Sequence, residues 1–219
     1  MEGTLVRLTP VEDADFALIA RWLQPSVAAT MGAGGTAEYR SVESIRSGMS
    51  KLPLIMIETR DGRKIGLVQW RTLGHDRSFE LGAVVGEPQL WDNGCGAEAS
   101  LLALDYLFRF KDAHRVQFTT GLYNRRVLTF LFKTGVVIEG ILRDYFYFDG
   151  CYHDAVVASL LRPEYDRALT ELDGLPPVTE MVPAAERELA ARSSAPACAN
   201  AGTACSPIWS RGRDGGARR

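Results

Sequence analysis

The segment Trp91–Ala97, which contains Gly94 and Gly96, has the clearest capacity for chemistry in this sequence. It follows Phe79–Val85, where apolar residues alternate at strand period, and it precedes a run of leucines and aromatics at helical spacing. Glycines at the start of a helix let the backbone approach a ligand closely. The free N–H groups and the dipole at that end favour an anion such as a pyrophosphate. The same glycines also suit an ordinary turn and cap, so this segment alone leaves both interpretations open.

The hydrophobic period along the chain predicts the elements that would position this segment. Alternation predicts seven strands, at Leu5–Thr9, Leu54–Thr59, Lys64–Leu73, Arg77–Val85, Arg115–Leu122, Val137–Phe148 and Tyr152–Leu161. Helical spacing predicts about four helices, one from near Asp13 to before Pro25, then Ser41–Lys51, Ala97–Lys111 and Asn124–Thr134. With hairpin signals at Asp61-Gly62 and Asp149-Gly150, this order predicts an α/β (α+β) fold with a mixed, mostly antiparallel central sheet.

The sequence also divides along its length. Residues 1–165 carry the periodic pattern and predict one domain, 166–190 predict a partly helical extension, and 191–219 predict a disordered tail poor in large apolar residues. We expect that tail to be solvated, and its arginines leave a partner-binding or nucleic-acid role as the alternative. Met31–Thr36 predicts a loop, either mobile over a cleft or a plain linker.

Composition narrows the class of protein. The chain has 219 residues, of which 46% are hydrophobic and 24% charged, and this suits one domain with a sizeable core. A net charge of −2 argues against a large nucleic-acid or membrane-surface footprint. No apolar run reaches the ~18 residues of a membrane span, and the N-terminus lacks a signal-peptide pattern, so we expect a cytoplasmic protein. The four cysteines lack metal spacing and predict free thiols, and no metal site is expected.

The order of elements and three motifs resemble the GCN5-related N-acetyltransferase (GNAT) superfamily over roughly Leu5–Tyr165. The motifs are Trp91–Gly96, then Asn124 with Lys133–Val136 and Glu139–Gly140, and finally Leu142–Arg143 with Asp149–Asp154. A tryptophan at position 91 is typical of one branch of that superfamily. The chain therefore most resembles the ribosomal-protein alanine acetyltransferases (RimJ/RimL-like).

This resemblance implies that residues 1–165 form an acyl-CoA N-acyltransferase domain with acetyl-CoA, or another acyl-CoA, as donor. It implies that the loop and helix start hold the pyrophosphate, and that strand backbone holds the pantetheine arm in a gap between two strands. The implied donor-binding residues are Val84, Val85, Asn93, Gly94, Cys95, Gly96, Ala97 and Asn124. Cys95 is expected to offer its N–H and not its sulfur. Asn124 also suits the N-cap of the helix that follows it, and both roles are compatible.

The resemblance further implies Glu80 as the catalytic base that removes a proton from the attacking amine. Strand alternation directs its side chain opposite to Leu81, away from one core face. The alternative is a cross-strand salt bridge with Arg77 or Arg71. Positions where relatives carry a hydroxyl read Leu131 and Val127, so no side-chain acid is identified. The three histidines, His75, His114 and His153, show no pattern of a base with its partner.

Together these features predict direct transfer of an acetyl group to a primary amine of a small molecule or a peptide N-terminus. A non-catalytic acyl-CoA-binding or interaction module is one alternative, and an acyltransferase acting on aminoacyl-tRNA is another. The near-neutral charge argues against the tRNA substrate and against nucleic acid generally. No membrane partner is expected, and a homodimer is left open.

Overall fold

The computed structural model describes residues 1–33, 38–49 and 51–171, with the single positions 185, 186 and 188. The seven strands are β1 (Val6–Pro10), β2 (Leu54–Thr59), β3 (Lys64–Leu73), β4 (His75–Val85), β5 (Arg115–Gly121), β6 (Val137–Phe148) and β7 (Cys151–Leu161). The six helices are α1 (Asp15–Trp22), α2 (Val27–Ala33), α3 (Val42–Met49), α4 (Cys95–Phe110), α5 (Arg125–Lys133) and α6 (Arg162–Glu171). A 3₁₀ turn lies at Pro88–Leu90. The predicted fold class is confirmed, with six helices in the described part of the chain where about four were expected.

All seven strands belong to one sheet in the order β1-β2-β3-β4-β5-β7-β6. Every neighbouring pair is antiparallel except β4 and β5, which run parallel. That parallel pairing covers only three residue pairs, from Ser78–Arg115 to Glu80–Gln117. Beyond Glu80 both strands continue without pairing to each other, so a gap opens in the middle of the sheet.

Two hydrophobic cores lie on opposite faces of this sheet. Successive strand residues point to opposite faces, and accordingly Met56 and Leu67 join one core while Ile57 and Val68 join the other. The first core contains side chains of α1 and α3, and the second contains those of α4. Helices on both faces hold the diverging strands in place, because neither strand can move without disturbing a packed layer.

Helix α2 replaces part of the predicted loop Met31–Thr36. Ser26 begins it, since its hydroxyl accepts the Ala29 N–H at 3.1 Å. Gly32 lies within this helix. A Cβ at this position would approach Val84 Cγ1 to 2.7 Å, so close packing against β4 requires glycine. The loop prediction was therefore wrong for 31–33, where this packing overrides the glycine signal, and residues 34–36 lie outside the described residues.

Helix α6 begins four residues before the predicted extension 166–190 and ends within it. Pro163 occupies its first turn, where the missing N–H costs nothing. Tyr165 anchors the helix on α4 by donating its hydroxyl to Asp105 Oδ1 at 2.6 Å and stacking on Phe108 at 4.4 Å. Burial, and then the bond to Asp105, raises the pKa of Tyr165 far above its usual value.

Only part of the predicted 166–190 extension is described, and the predicted tail 191–219 lies outside the described residues. The proposed boundaries at 165 and 190 therefore stay predictions. Across the described part of the chain, no helix is long and apolar enough to cross a membrane.

Candidate functional site

The gap between β4 and β5 opens into a cavity of about 200 Å³. Its walls come from α2, the open ends of β4 and β5, the loop before α4, the first turns of α4, and α5. The lining residues that matter below are Met31, Ala83, Val84, Val85, Trp91, Gly94, Gly96, Ala97, Thr119, Asn124 and Arg126. We call this space the loop-side cavity.

The start of α4 supplies backbone donors to the loop-side cavity. Gly94 is the N-cap and has φ +79°, a left-handed conformation that glycine adopts without strain. The first bond of the helical ladder runs from the Glu98 N–H to the Gly94 carbonyl at 2.9 Å. The N–H groups of residues 94–97 precede that ladder, so they are the donors that a helix start leaves for a ligand. A Cβ at Gly96 would lie 3.2 Å from Val85 Cγ2, so this wall has little room for a side chain.

Glu98 is the one acid in the first turn of α4, where it would oppose a bound anion. Its carboxylate instead accepts the backbone N–H groups of Thr4, Leu5 and Val6, each at 2.7 Å. Its negative charge is therefore compensated by the segment that leads into β1.

Asn93 and Cys95 do not line the cavity. Asn93 is exposed, and its N–H donates to the Leu90 carbonyl at 3.4 Å within the preceding turn. Cys95 is buried, and this burial raises the pKa of its thiol. The thiol therefore stays protonated at neutral pH, which agrees with the expectation that Cys95 offers its N–H and not its sulfur.

Trp91 and Arg126 close one end of the loop-side cavity. The Trp91 indole donates to the Val85 carbonyl at 2.7 Å, which ties the loop to the end of β4. Arg126, from α5, lies 5.3 Å from the Trp91 ring and makes a bidentate ion pair with Asp92 at 2.7 and 2.9 Å. This hydrogen-bonded pairing holds the pKa of Asp92 below its usual range. No sequence pattern indicated Arg126, because only the fold brings α5 beside the loop.

The backbone of β4 faces two ways along its open end. The Gly86 N–H donates to Ile65 on β3 at 2.9 Å, whereas the Val85 carbonyl accepts from Trp91 on the other edge. Backbone groups alternate between edges along a strand, so Ala83 and Val85 face the gap and Val84 faces β3. The backbone of Val84 therefore does not face the gap, and its side chain is buried in the core beneath α1 and α3.

Asn124 is the N-cap of α5, as one of its two predicted roles requires. Its Oδ1 accepts the Val127 N–H at 3.4 Å, and its Nδ2 donates to the Met31 carbonyl at 2.9 Å. The side chain is 4% exposed and lines the loop-side cavity. Asn124 therefore fastens α5 to α2, while its contact with a pantetheine arm stays a prediction.

A second cavity of about 360 Å³ lies on the other side of the gap. It shares with the loop-side cavity the residues Met31, Gly32, Leu81, Gly82, Thr119 and Thr120, so the two spaces meet where β4 and β5 diverge. Its other lining residues are Leu52, Gln69, Trp70, Arg71, Glu80, Gly121, Tyr123, Tyr145 and Phe146. We call this space the Glu80-side cavity.

Glu80 is held by two neighbours within the Glu80-side cavity. Its Oε1 accepts the Thr119 hydroxyl at 2.7 Å, and its Oε2 accepts Arg71 Nε at 2.5 Å. Arg71 lies directly opposite on β3 and also makes an ion pair with the same oxygen. The alternative salt bridge with Arg71 is therefore present, whereas Arg77 pairs with Asp112 at 3.0 Å. The salt bridge does not exclude a role as base, because the Glu80 carboxylate also lines a cavity. That role stays a prediction.

No hydroxyl stands at the two positions considered for a proton donor. Leu131 is a core residue, 1% exposed, and Val127 lines the loop-side cavity. The Glu80-side cavity does hold the Tyr123 phenol, which donates to the Thr30 carbonyl at 3.4 Å. Burial raises the pKa of Tyr123, so the phenol remains protonated. The three histidines line neither cavity.

These features define an acyltransferase-type sheet with two cavities joined at a split between parallel strands. The family model described as the acetyltransferase (GNAT) domain matches residues 6–137, more than half of the chain. The chain therefore belongs to the GNAT acetyltransferase family, as the motifs predicted. Among the described residues, no cluster of three or more His, Cys, Asp or Glu side chains could hold a metal ion.

The chain is similar to a spermidine N(1)-acetyltransferase of Escherichia coli K12, with 25% identity over 105 residues. That match covers 48% of this chain and 56% of the relative, so the chain spans about half the length of the curated relative. A spermidine N-acetyltransferase of Vibrio cholerae, solved in complex with CoA and spermine, superposes with a TM-score of 0.66 at 21% identity. This superposition covers 74% of this chain and 98% of the other.

A ribosomal-protein-S5-alanine acetyltransferase of Vibrio fischeri superposes with a TM-score of 0.63 at 15% identity, over 74% of this chain and 96% of the other. Likeness at this level shows a common fold. The superfamily prediction is confirmed, and the narrower assignment to the ribosomal-protein branch stays a prediction.

Proposed function

We propose that this protein transfers an acetyl group from acetyl-CoA directly to a primary amine of a small molecule or a peptide N-terminus. The observation that carries the proposal is the meeting of two cavities at the β4–β5 gap. One cavity offers an anion-binding helix start, and the other offers a carboxylate. Direct transfer needs donor and acceptor to meet at one point, and the junction of the two cavities provides for that.

The loop-side cavity fits acetyl-CoA, which supplies an activated thioester. The N–H groups of Gly94, Gly96 and Ala97, with the positive end of the α4 dipole, would bind the pyrophosphate. The gap-facing backbone of Ala83 and Val85 would hold the pantetheine arm and polarise the thioester carbonyl, an oxyanion-hole role. Val84 supports them from behind, because its packing against α2 fixes the course of β4.

Glu80 would act on the amine. An amine attacks only after it loses its ammonium proton, and a carboxylate within hydrogen-bonding reach accepts that proton. Arg71 and Thr119 hold the Glu80 carboxylate in one orientation at the cavity wall. The leaving thiolate needs a proton, which Tyr123 or solvent would supply, because Leu131 and Val127 carry no acid.

Two other functions compete with this one. A non-catalytic acyl-CoA-binding module is favoured by the absence of a hydroxyl at Leu131 and Val127. An acyltransferase acting on aminoacyl-tRNA is disfavoured by the net charge of −2. The ribosomal-protein branch would make the acceptor a peptide N-terminus, whereas two of the three similar proteins named above are spermidine acetyltransferases.

Thiol release from acetyl-CoA, measured against a panel of amines, tests the proposal. We expect thiol release that depends on one or more amines and matches the acetylated product by mass spectrometry. Propionyl-CoA and succinyl-CoA in place of acetyl-CoA test the donor chain. Calorimetric binding of acetyl-CoA with no transfer to any amine, including peptides, would instead support the non-catalytic module.

A further inference from the structure

The charge of the Glu80-side cavity bears on which amine can enter it. Among its described lining residues, Arg71 and Glu80 are the two with full charges, and they bind each other. A polyamine brings several cations, but the single carboxylate here is already compensated by a guanidinium. Each further ammonium group would lose water without gaining a counter-charge, which is unfavourable. The cavity wall is therefore poorly matched to a polycation.

Arg71 retains donors that Glu80 does not use. An arginine has five N–H groups, and Glu80 occupies those of Nε and one terminal nitrogen through a single carboxylate oxygen. The Arg71 side chain is 60% exposed and lines the cavity, so a ligand in the cavity can reach it. A guanidinium fork with a terminal nitrogen to spare is well suited to a second carboxylate.

Three aromatic residues, Tyr123, Tyr145 and Phe146, also line this cavity. Tyr145 and Phe146 contact each other edge to face at 4.8 Å, and Tyr123 meets Phe146 at 6.3 Å. They lie where the β6–β7 register shifts, and Asp144 there has φ +52° with its N–H held by Asp154 Oδ1 at 2.9 Å. Tyr145 is 51% exposed, so its ring is accessible to a ligand.

We propose that the acceptor is a primary amine that also carries a neighbouring carboxylate and an aromatic or large apolar group, as an aromatic α-amino acid does. The amine would lie at Glu80, the carboxylate at the spare nitrogen of Arg71, and the apolar group against Tyr145 and Phe146. In such a zwitterion the two charges are adjacent, which matches a cation and an anion in direct contact on the cavity wall. This inference rests on the function proposed above and narrows its acceptor.

A matched set of amines tests the proposal. Phenylalanine, phenethylamine, phenylalanine amide and spermidine are compared by kcat/KM for thiol release with saturating acetyl-CoA. We expect phenylalanine to exceed phenethylamine and the amide about tenfold or more, as a charge-assisted hydrogen bond implies. It should exceed spermidine as well. If spermidine or phenethylamine is the better acceptor, this inference is overturned while the acetyltransferase function stands.

The variant Arg71→Gln separates binding of the acceptor from support of Glu80. We expect KM for phenylalanine to rise about tenfold, while KM for phenethylamine changes less than threefold. The control Arg77→Gln, on β4 outside both cavities, should change neither. Equal losses for both amines would mean that Arg71 acts only through Glu80, and this would overturn its role in binding a carboxylate.

Calorimetry of phenylalanine binding to the protein saturated with CoA gives a readout that does not depend on turnover. Binding that Arg71→Gln weakens, without transfer to any amine, would retain the acceptor class and overturn the catalytic function. Absence of phenylalanine binding at millimolar concentration would overturn the acceptor class.

Discussion

The two cavities that meet at the β4–β5 gap differ in the groups that they present to a ligand. The loop-side cavity presents backbone N–H groups at the start of α4, with glycine, alanine and valine around them. The Glu80-side cavity presents side chains, which include the paired Arg71 and Glu80 and aromatic rings. A site made of backbone depends on the course of the chain, whereas a site made of side chains depends on which residues the fold places together. Substitutions should therefore affect the two cavities in different ways.

The largest expected effect on activity comes from a substitution in the Glu80-side cavity. Glu80→Gln should lower kcat/KM by about 10²–10⁴-fold near neutral pH, because the amine loses its base. The loss should shrink as pH rises, since the amine then deprotonates unaided. Affinity for acetyl-CoA should stay unchanged, because Glu80 lines the other cavity.

Steady-state kinetics across pH, with calorimetry of acetyl-CoA, measure both quantities. Glu43→Gln, at an exposed position of α3, serves as the control. A folded Glu80→Gln enzyme with nearly full activity at neutral pH would show that water takes the proton and that positioning alone accelerates the reaction.

A substitution in the loop-side cavity should change the affinity for acetyl-CoA. Gly96→Val places a side chain against Val85 at the helix start, so we expect acetyl-CoA to bind about 10–100-fold more weakly, the value of one or two charge-assisted hydrogen bonds. The order of preference among amines should not change. Gly140→Val makes the same change on β6, where a Cβ meets open space, and should leave affinity intact. Unchanged affinity in a folded Gly96→Val variant would contradict the assignment of the loop.

A smaller effect, on stability, is expected from Glu87, which supports the loop-side cavity. Glu87, which follows β4, accepts hydrogen bonds from Trp22 at 3.1 Å, Gln89 at 2.9 Å and Arg63 at 2.9 Å. These donors, Trp22 foremost, hold the pKa of Glu87 below the ordinary value of 4.5. Glu87→Gln should therefore lower the free energy of unfolding by about 1–2 kcal/mol at pH 7, with amine preference unchanged.

The pH dependence of stability checks this assignment. A carboxylate whose pKa is lowered on folding stabilises fully above its ordinary value, and it loses that contribution as pH falls through the lowered one. Wild-type protein should therefore lose more stability than Glu87→Gln as pH falls below about 4.5. Urea unfolding at several pH values, with Glu43→Gln as control, measures this difference. Parallel curves for the two proteins would mean that the Glu87 contacts contribute no net stability.

The smallest effect is expected from the C-terminus. Truncation after residue 190 removes the predicted tail, and both kcat/KM and Tm should stay within error of the full chain, because that segment has few of the large apolar residues that a docked segment would bury. Activity and thermal unfolding of the truncated protein measure this. A large loss of either would show that the tail docks on the domain, for instance through Trp209.

Many of the elements that form the loop-side cavity could be predicted from the sequence. Three of the seven strands have the predicted bounds, at Leu54–Thr59, Lys64–Leu73 and Val137–Phe148, and the loop with Gly94 and Gly96 does precede a helix. These features follow from local period and from glycine conformation, which depend on neighbours in the chain. Helix α2 was missed because its glycine is explained by contact with a distant strand.

The sequence by itself therefore determined the class of fold, the family and the helix start that suits an anion, since each is encoded in short-range pattern. Only the tertiary structure decided how Glu80 is held, which residues surround it, and that Arg126 closes the other cavity. The hydrogen bond that Thr119 donates to Glu80, for example, joins residues 39 positions apart, so no local period records it. The choice of acceptor belongs to this second group, because the side chains that would select it are brought together only when the sheet forms.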